Sequence, residues 1–123
     1  MNLFLLFGSI LMFIGVGLGA FGAHSFAEFL AAAGREGTFE TAVRYQVYHA
    51  LALLVVGILN SQSASPLLSW GGWLFFVGTL VFSGSLYILI YSGVKWLGAI
   101  TPIGGVLFLA GWACLVIYAI KHA

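Results

Sequence analysis

Four long apolar runs, separated by short polar segments, dominate the pattern of this chain. The runs cover about residues 3–23, 39–59, 70–91 and 97–120. A helix rises about 1.5 Å per residue, so about 20 apolar residues cross the roughly 30 Å hydrocarbon core of a bilayer. The pattern therefore predicts an all-α membrane protein, with four transmembrane helices in one integral membrane domain over residues 1–123.

The first run could also be a secretory signal peptide. However, no basic side chain precedes it, and it is longer than a signal-peptide apolar region of about 7–15 residues. We therefore expect this run to be the first transmembrane helix.

A short amphipathic segment lies between the first two runs. Its apolar residues recur at the helical spacing i, i+3, i+4 and i+7, which suits a helix that lies in the headgroup boundary. These residues are Phe26, Phe29, Leu30 and Ala33. Ser25 and Glu28 have the spacing of a capping box, and Gly34 is a typical residue after a helix end. The sequence thus predicts an interfacial helix at about residues 26–33.

The second run begins with polar residues. Thr38 is the predicted N-cap of the second transmembrane helix, because a threonine hydroxyl can accept a hydrogen bond from the first turn. Glu40 and Arg44 are four residues apart in the favourable acid-first order. We expect them to form a structural pair, with the Arg44 side chain reaching toward the membrane surface.

The composition narrows the class of protein and its partners. The chain is 63% hydrophobic and only 6% charged, whereas soluble proteins contain about 25% charged residues. The net charge of +1 gives no support for a nucleic-acid partner. The expected partner is the lipid bilayer, with a homo-oligomer or a larger membrane complex as a further expectation.

Glycines recur on the first and fourth predicted spans, where they would let neighbouring helices approach closely. The predicted packing glycines are Gly8, Gly15, Gly19 and Gly22 on the first span and Gly98, Gly104, Gly105 and Gly111 on the fourth. Pro102 lies early in the fourth run and should kink that helix, because proline removes a backbone hydrogen bond.

Several polar side chains lie in the half of the spans that borders the first and third connections. Together they predict a polar pocket that opens to that membrane face: His24, Gln46, His49, Ser83, Tyr87 and Thr101. Ionisable residues at membrane depth are costly and are therefore candidates for function. If His49 is only structural, it should hydrogen-bond Ser83, Tyr87 or a carbonyl near Pro102; if it is functional, water should reach it.

No pattern in the sequence indicates a reaction. Cys114 is the single cysteine, which excludes an intrachain disulfide, and no residues show metal-ligand spacing. The spans contain no paired carboxylates and no nucleophile beside a base. We therefore expect no metal, no cofactor and no enzymatic activity.

The distribution of basic residues predicts an orientation. Arg35, Arg44 and Lys95 border the first and third connections, whereas Lys121 lies on the other side with both termini. The positive-inside rule then places those connections in the cytoplasm and both termini outside the inner (plasma) membrane. Insertion in both orientations is the alternative, because the difference in charge is small.

Four motifs, in order along the chain, carry a family resemblance. They are GAFGAH at 19–24, TAVRYQ and YHALAL at 41–46 and 48–53, FSGSLY at 82–87, and ITPIGG at 100–105. Together they resemble the small membrane proteins typified by bacterial YgdD and YwdK. The resemblance covers nearly the whole chain and implies a four-helix inner-membrane protein. It implies no catalytic residue, because that family has no established activity.

Two functions of different classes remain open. The first is a structural or accessory membrane protein, in which the polar residues hold the helices together and a larger complex is the partner. The second is a small oligomeric transporter or channel, in which the polar pocket lines a path for a small solute or protons.

Overall fold

The structure, a computed structural model, describes residues 1–122 apart from the side chain of Ala23, and this part contains helices but no strand. Four segments are long and apolar enough to cross a membrane: Leu3–Gly22, Glu36–Gln62, Pro66–Ser92 and Lys95–Lys121. The predicted all-α class with four membrane-spanning helices is therefore confirmed.

The elements follow one another with short connections. In chain order they are α1 (Leu3–Gly17) with a π-helical continuation (Leu18–Gly22), the single turn α2 (Ala23–Ser25), the short helix α3 (Ala27–Ala33), α4 (Glu36–Gln62), α5 (Pro66–Ser92), a 3-10 helix (Lys95–Ala99) and α6 (Thr101–Lys121). The antiparallel spans place both termini and the α4–α5 connection at one end of the bundle. The opposite end, with α3 and the α5–α6 connection, is called the α3 end below.

The helices α4 and α5 form the centre of the bundle, with α1 on one side and α6 on the other. The most apolar window of each central span is 44% and 39% buried, compared with 22% for the first span and 17% for the last. Many large apolar side chains on the outer helices are exposed, such as Phe13 and Leu109. Lipid is the solvent that such a surface requires.

Glycines set the closest helix approaches. A methyl group on Gly8 would lie 2.9 Å from the carbonyl oxygen of Ala50, so α1 and α4 meet backbone to backbone there. A methyl group on Gly104 would lie only 2.5 Å from the backbone nitrogen of Phe82, which places α6 equally close to α5. Gly15, Gly19 and Gly22 also face α4, and Gly111 faces α5.

Other glycines differ from the prediction. A methyl group on Gly105 would meet nothing within 4 Å, and one on Gly98 would meet only the Leu89 side chain at 3.8 Å. These two glycines therefore do not set a close helix crossing. Gly57, which the sequence did not indicate, does set one, because a methyl group there would lie 2.9 Å from the backbone nitrogen of Leu5 in α1. Gly72 leaves room for the ring of Phe4, which would lie 2.6 Å from such a methyl group.

The short helix between the first two spans is present and starts at Ala27, but the predicted cap at its start is wrong. Phe26 is the N-cap of α3, and no side chain caps that end, so Ser25 and Glu28 do not form a capping box. The reason is local, because Ser25 ends the preceding turn α2. Gly34 follows α3 with a φ of 66°, as the sequence predicts for a glycine after a helix end.

The boundaries of the spans also differ. Thr38 is not an N-cap, because α4 already begins at Glu36. Pro102 does not kink the middle of a helix: it lies in the first turn of α6, where the missing backbone N–H costs no helical hydrogen bond. The break in the last span comes just before it, where a 3-10 helix precedes α6.

Candidate functional site

His49 lies at the contact between α4 and α6. Its side chain is 4% exposed, and its ring stacks on Phe108 with centroids 3.5 Å apart and planes 6° from parallel. The Nε1–H of Trp112 donates to Nε2 of His49 over 3.1 Å. The other ring nitrogen, Nδ1, lies 2.8 Å from the carbonyl oxygen of Tyr45 in the preceding turn.

These two contacts define the protonation state and the tautomer of the His49 ring. An indole N–H can only donate, so Nε2 of His49 accepts and carries no proton. A carbonyl oxygen can only accept, so Nδ1 carries the proton and donates to Tyr45. Both nitrogens are thus used by a neutral imidazole in one tautomer. For a structural His49 the sequence predicted hydrogen bonds to Ser83, Tyr87 or a carbonyl near Pro102, and these partners were wrong. The hydrogen bond from Trp112 nevertheless joins two helices, as a structural role requires.

Gln46 occupies a different contact, between α4, α1 and α5. Its Nε2 donates to the carbonyl oxygen of Leu11 over 2.8 Å, and the hydroxyl of Tyr87 donates to its Oε1 over 2.7 Å. The residue is only 3% exposed. One side chain therefore joins three helices, which explains why an amide is tolerated at this depth.

The hydroxyl residues form further helix contacts. Ser83 donates to the carbonyl oxygen of Ala42 over 2.7 Å and joins α5 to α4. The hydroxyls of Thr101 and Ser85 lie 2.6 Å apart and join α6 to α5. Each interhelical hydrogen bond of this kind contributes about 0.6 kcal/mol on average in a membrane protein.

Of the six predicted pocket residues, Gln46 and Tyr87 hydrogen-bond each other, and the other buried ones have partners outside the predicted set. Within the described part of the chain, no buried side-chain nitrogen or oxygen lacks a hydrogen-bond partner. His24 is exposed in the turn α2, away from the buried group. The prediction of one shared polar pocket thus becomes, in the structure, a set of paired contacts between helices.

A groove does border His49, but its character is apolar and aromatic. It lies between α4 and α6 and has a volume of about 620 Å³. Its lining residues are Tyr45, Tyr48, His49, Phe82, Phe108 and Trp112, together with Pro102, Gly105, Val106 and Leu109. None of the other five predicted pocket residues is among its lining residues.

The partners of the buried polar residues were not predicted from the sequence. Trp112 and Ser85 were not identified as candidates, although each completes a contact of a residue that was. Trp112 is a polar aromatic within an apolar run, and a buried indole N–H usually has a partner. That signal could have indicated Trp112, but not that its partner is His49.

Charged residues gather at the α3 end. Arg44 forms an ion pair with Glu40 on the same helix, and both side chains are partly exposed. Arg35 extends to the carbonyl oxygen of Leu89 over 3.4 Å, where α5 ends. A cation at that position is favourable for the dipole of α5. Among the described residues, no group of three or more His, Cys, Asp or Glu side chains could hold a metal ion.

Comparisons with known proteins place the chain in a family whose members are named as membrane proteins. The family described as "Protein of unknown function (DUF423)" matches residues 18–105. A UPF0382 membrane protein of Staphylococcus aureus is 46% identical over 128 residues, covering 100% of this chain and 99% of the relative. The UPF0382 membrane protein YwdK of Bacillus subtilis is 42% identical over 131 residues, covering 99% of both chains. No solved structure matches the chain.

Proposed function

The chain belongs to the DUF423 family of membrane proteins, and from this premise we propose that it is a structural or accessory component of the plasma membrane. The observation that carries this proposal is the pairing of its buried polar side chains. All of those described have hydrogen-bond partners inside the chain, and those of Gln46, His49 and Ser83 include a partner on another helix.

The hydrogen bonds connect every neighbouring pair of spanning helices. Gln46 joins α4 to α1 and α5, while His49 joins α4 to α6. Because no aqueous solvent competes inside a bilayer, such contacts fix which helix faces meet. This arrangement suits a rigid bundle that presents a constant outer surface to a partner.

These contacts do not support the alternative function, a transporter or channel. A path for a solute or proton needs polar groups that face water or the solute, whereas Gln46, His49 and Ser83 are each less than 5% exposed and paired. We likewise propose no catalytic activity, because both nitrogens of His49 are already hydrogen-bonded, one to Tyr45 of the same helix and one to Trp112 of α6.

The proposed partner is a larger membrane complex or further copies of this chain. The outer helices carry the surfaces for such contacts, with Leu109 of α6 71% exposed and Phe13 of α1 82% exposed. The proposed orientation places the α3 end in the cytoplasm, since Arg35, Arg44 and Lys95 lie there and only Lys121 lies at the other end.

Photo-crosslinking in intact membranes tests this proposal. A photoreactive residue at Leu109 or at Phe13 should give a product of one defined mass from at least one of the two positions. The matched control is Leu53, which is 0% exposed and should give no intermolecular product. If neither position yields a product and the purified chain alone carries a specific solute into liposomes, the accessory function is wrong.

A further inference from the structure

A second groove lies at the α3 end of the bundle. It has a volume of about 420 Å³, runs between the π-helical end of α1, α3 and the start of α4, and is lined by Gly19, Leu30, Phe39 and Val43 together with Glu36, Glu40 and Arg44. We propose that this groove binds the headgroup region of a zwitterionic phospholipid that carries a primary ammonium group, such as phosphatidylethanolamine.

The order of charges along α4 carries this proposal. Glu36, Glu40 and Arg44 are spaced by four residues, so they lie on one face of the helix, about 6 Å apart per step. Glu36 is the first residue of α4, and Arg44 lies two turns farther along the spanning segment. A zwitterionic phospholipid has the matching order, with the phosphate next to the glycerol and the ammonium group farther out.

The existing ion pair can exchange partners at small cost. Arg44 and Glu40 are 47% and 68% exposed, and ion pairs this exposed contribute little to stability. A phosphate can take the place of Glu40 on the Arg44 guanidinium, which forms bidentate hydrogen bonds with phosphate oxygens. Glu40 is then available, with Glu36, to accept hydrogen bonds from an ammonium group.

The groove also distinguishes among headgroups. Two carboxylates and one guanidinium give its lining one excess negative charge, which disfavours a lipid with a net negative headgroup. A primary ammonium donates hydrogen bonds to carboxylates, whereas the quaternary ammonium of phosphatidylcholine cannot. Quaternary ammonium groups are held by aromatic cages, and among the described residues that line this groove Phe39 is the one aromatic side chain.

The floor of the groove accommodates the upper part of the acyl chains. Gly19 leaves room there, because a methyl group at this position would only touch Val43, at 3.4 Å. The sides are apolar, with Leu30 of α3 and Phe39 of α4 in one hydrophobic cluster with Ile90. This inference is independent of the proposed function, since it concerns the lipid at one surface and not a protein partner.

The test uses the full chain, purified in mild detergent, with lipids that differ only in the headgroup. Binding of phosphatidylethanolamine, phosphatidylcholine and phosphatidylglycerol is measured by native mass spectrometry, and the thermal midpoint is measured at equal lipid fraction, since a ligand of the folded state raises it. We expect phosphatidylethanolamine to bind about two- to fivefold more tightly than phosphatidylcholine, the ratio that an exposed ion pair supplies.

Two sets of variants separate the headgroup contacts. The double variant Glu36→Gln and Glu40→Gln should abolish the preference for phosphatidylethanolamine over phosphatidylcholine. Arg44→Gln should weaken the binding of both lipids. Lys121→Gln, at the opposite end of the bundle, is the matched control and should change neither the headgroup preference nor the affinity for either lipid. Equal binding of phosphatidylethanolamine and phosphatidylcholine by the parent would overturn the proposal. Tightest binding of phosphatidylglycerol, or an unchanged preference in the double variant, would also overturn it.

Discussion

The indole of Trp112 donates a hydrogen bond to Nε2 of His49 over 3.1 Å, and this contact joins the outer helix α6 to the centre of the bundle. His49 is also held from its own helix by the carbonyl oxygen of Tyr45 and from α6 by the stacked ring of Phe108. The most prominent ionisable residue of the membrane core is therefore fixed on both nitrogens and on one ring face.

Replacing Trp112 with phenylalanine tests how much this hydrogen bond contributes to the free energy of unfolding. The variant keeps an aromatic ring beside Phe75, whose centroid lies 4.7 Å from that of Trp112, but removes the N–H donor. We expect the free energy of unfolding to fall by about 0.6–1.7 kcal/mol, the range for hydrogen bonds between membrane helices. Reversible unfolding in mixed detergent micelles measures this change.

A double-mutant cycle with His49→Leu and Trp112→Phe isolates the pair. The double variant should lose less free energy of unfolding than the two single variants lose in sum, because both changes remove the same hydrogen bond. Additive effects would show that the two side chains do not interact. If His49→Leu folds like the parent and also complements a deletion, His49 has no functional role; normal folding with lost complementation would instead support one.

The adjacent glycines Gly104 and Gly105 should respond differently to the same substitution. A methyl group on Gly104 would lie 2.5 Å from the backbone of Phe82, whereas one on Gly105 would meet nothing within 4 Å. We expect Gly104→Ala to separate α6 from α5 and to cost about 1–3 kcal/mol or more. Gly105→Ala should be neutral or stabilise the helix by up to about 1 kcal/mol.

Thermal unfolding of both glycine variants provides the measurement, and each variant is the control for the other. Equal destabilisation would mean that glycine is needed for a reason other than the α5–α6 approach. A stable Gly104→Ala variant would contradict the backbone contact itself.

The hydrogen bonds of Gln46 can be separated by two substitutions. Tyr87→Phe removes only the contact with α5, while Gln46→Leu removes that contact and the one to Leu11 of α1. We expect Gln46→Leu to be the more destabilising, by about 0.6 kcal/mol or more, because it breaks one further interhelical hydrogen bond. Equal unfolding free energies for the two variants would contradict the contact with α1.

Interactions within one helix could be predicted from the sequence, because helical spacing alone determines them. The pair of Glu40 and Arg44 is an example, since residues four apart on a helix are neighbours. The spans themselves follow from the length of their apolar runs, and Gly8 and Gly15 on α1 share a face because they are seven residues apart.

Contacts between helices could not be predicted in the same way. Gln46 and His49 are close on the helical wheel, yet they meet different neighbours, α1 and α5 in one case and α6 in the other. Which helix lies opposite a given face depends on how all four helices pack. The spacing of residues along one helix shows which side chains share a face, but not which helix that face contacts. For the same reason Gly104 and Gly105, indistinguishable in the sequence, differ in the structure.

The orientation of the bundle in the membrane gives the last prediction. Arg35, Arg44 and Lys95 lie at the α3 end and Lys121 at the other, a ratio of three to one that favours a cytoplasmic α3 end. A C-terminal reporter that is active only in the cytoplasm should therefore stay silent, and one that requires export should be active. Changing Arg35 and Lys95 to glutamine leaves one basic residue at each end, so this variant should insert in both orientations and activate both reporters. A strong cytoplasmic signal from the parent chain would reverse the assignment.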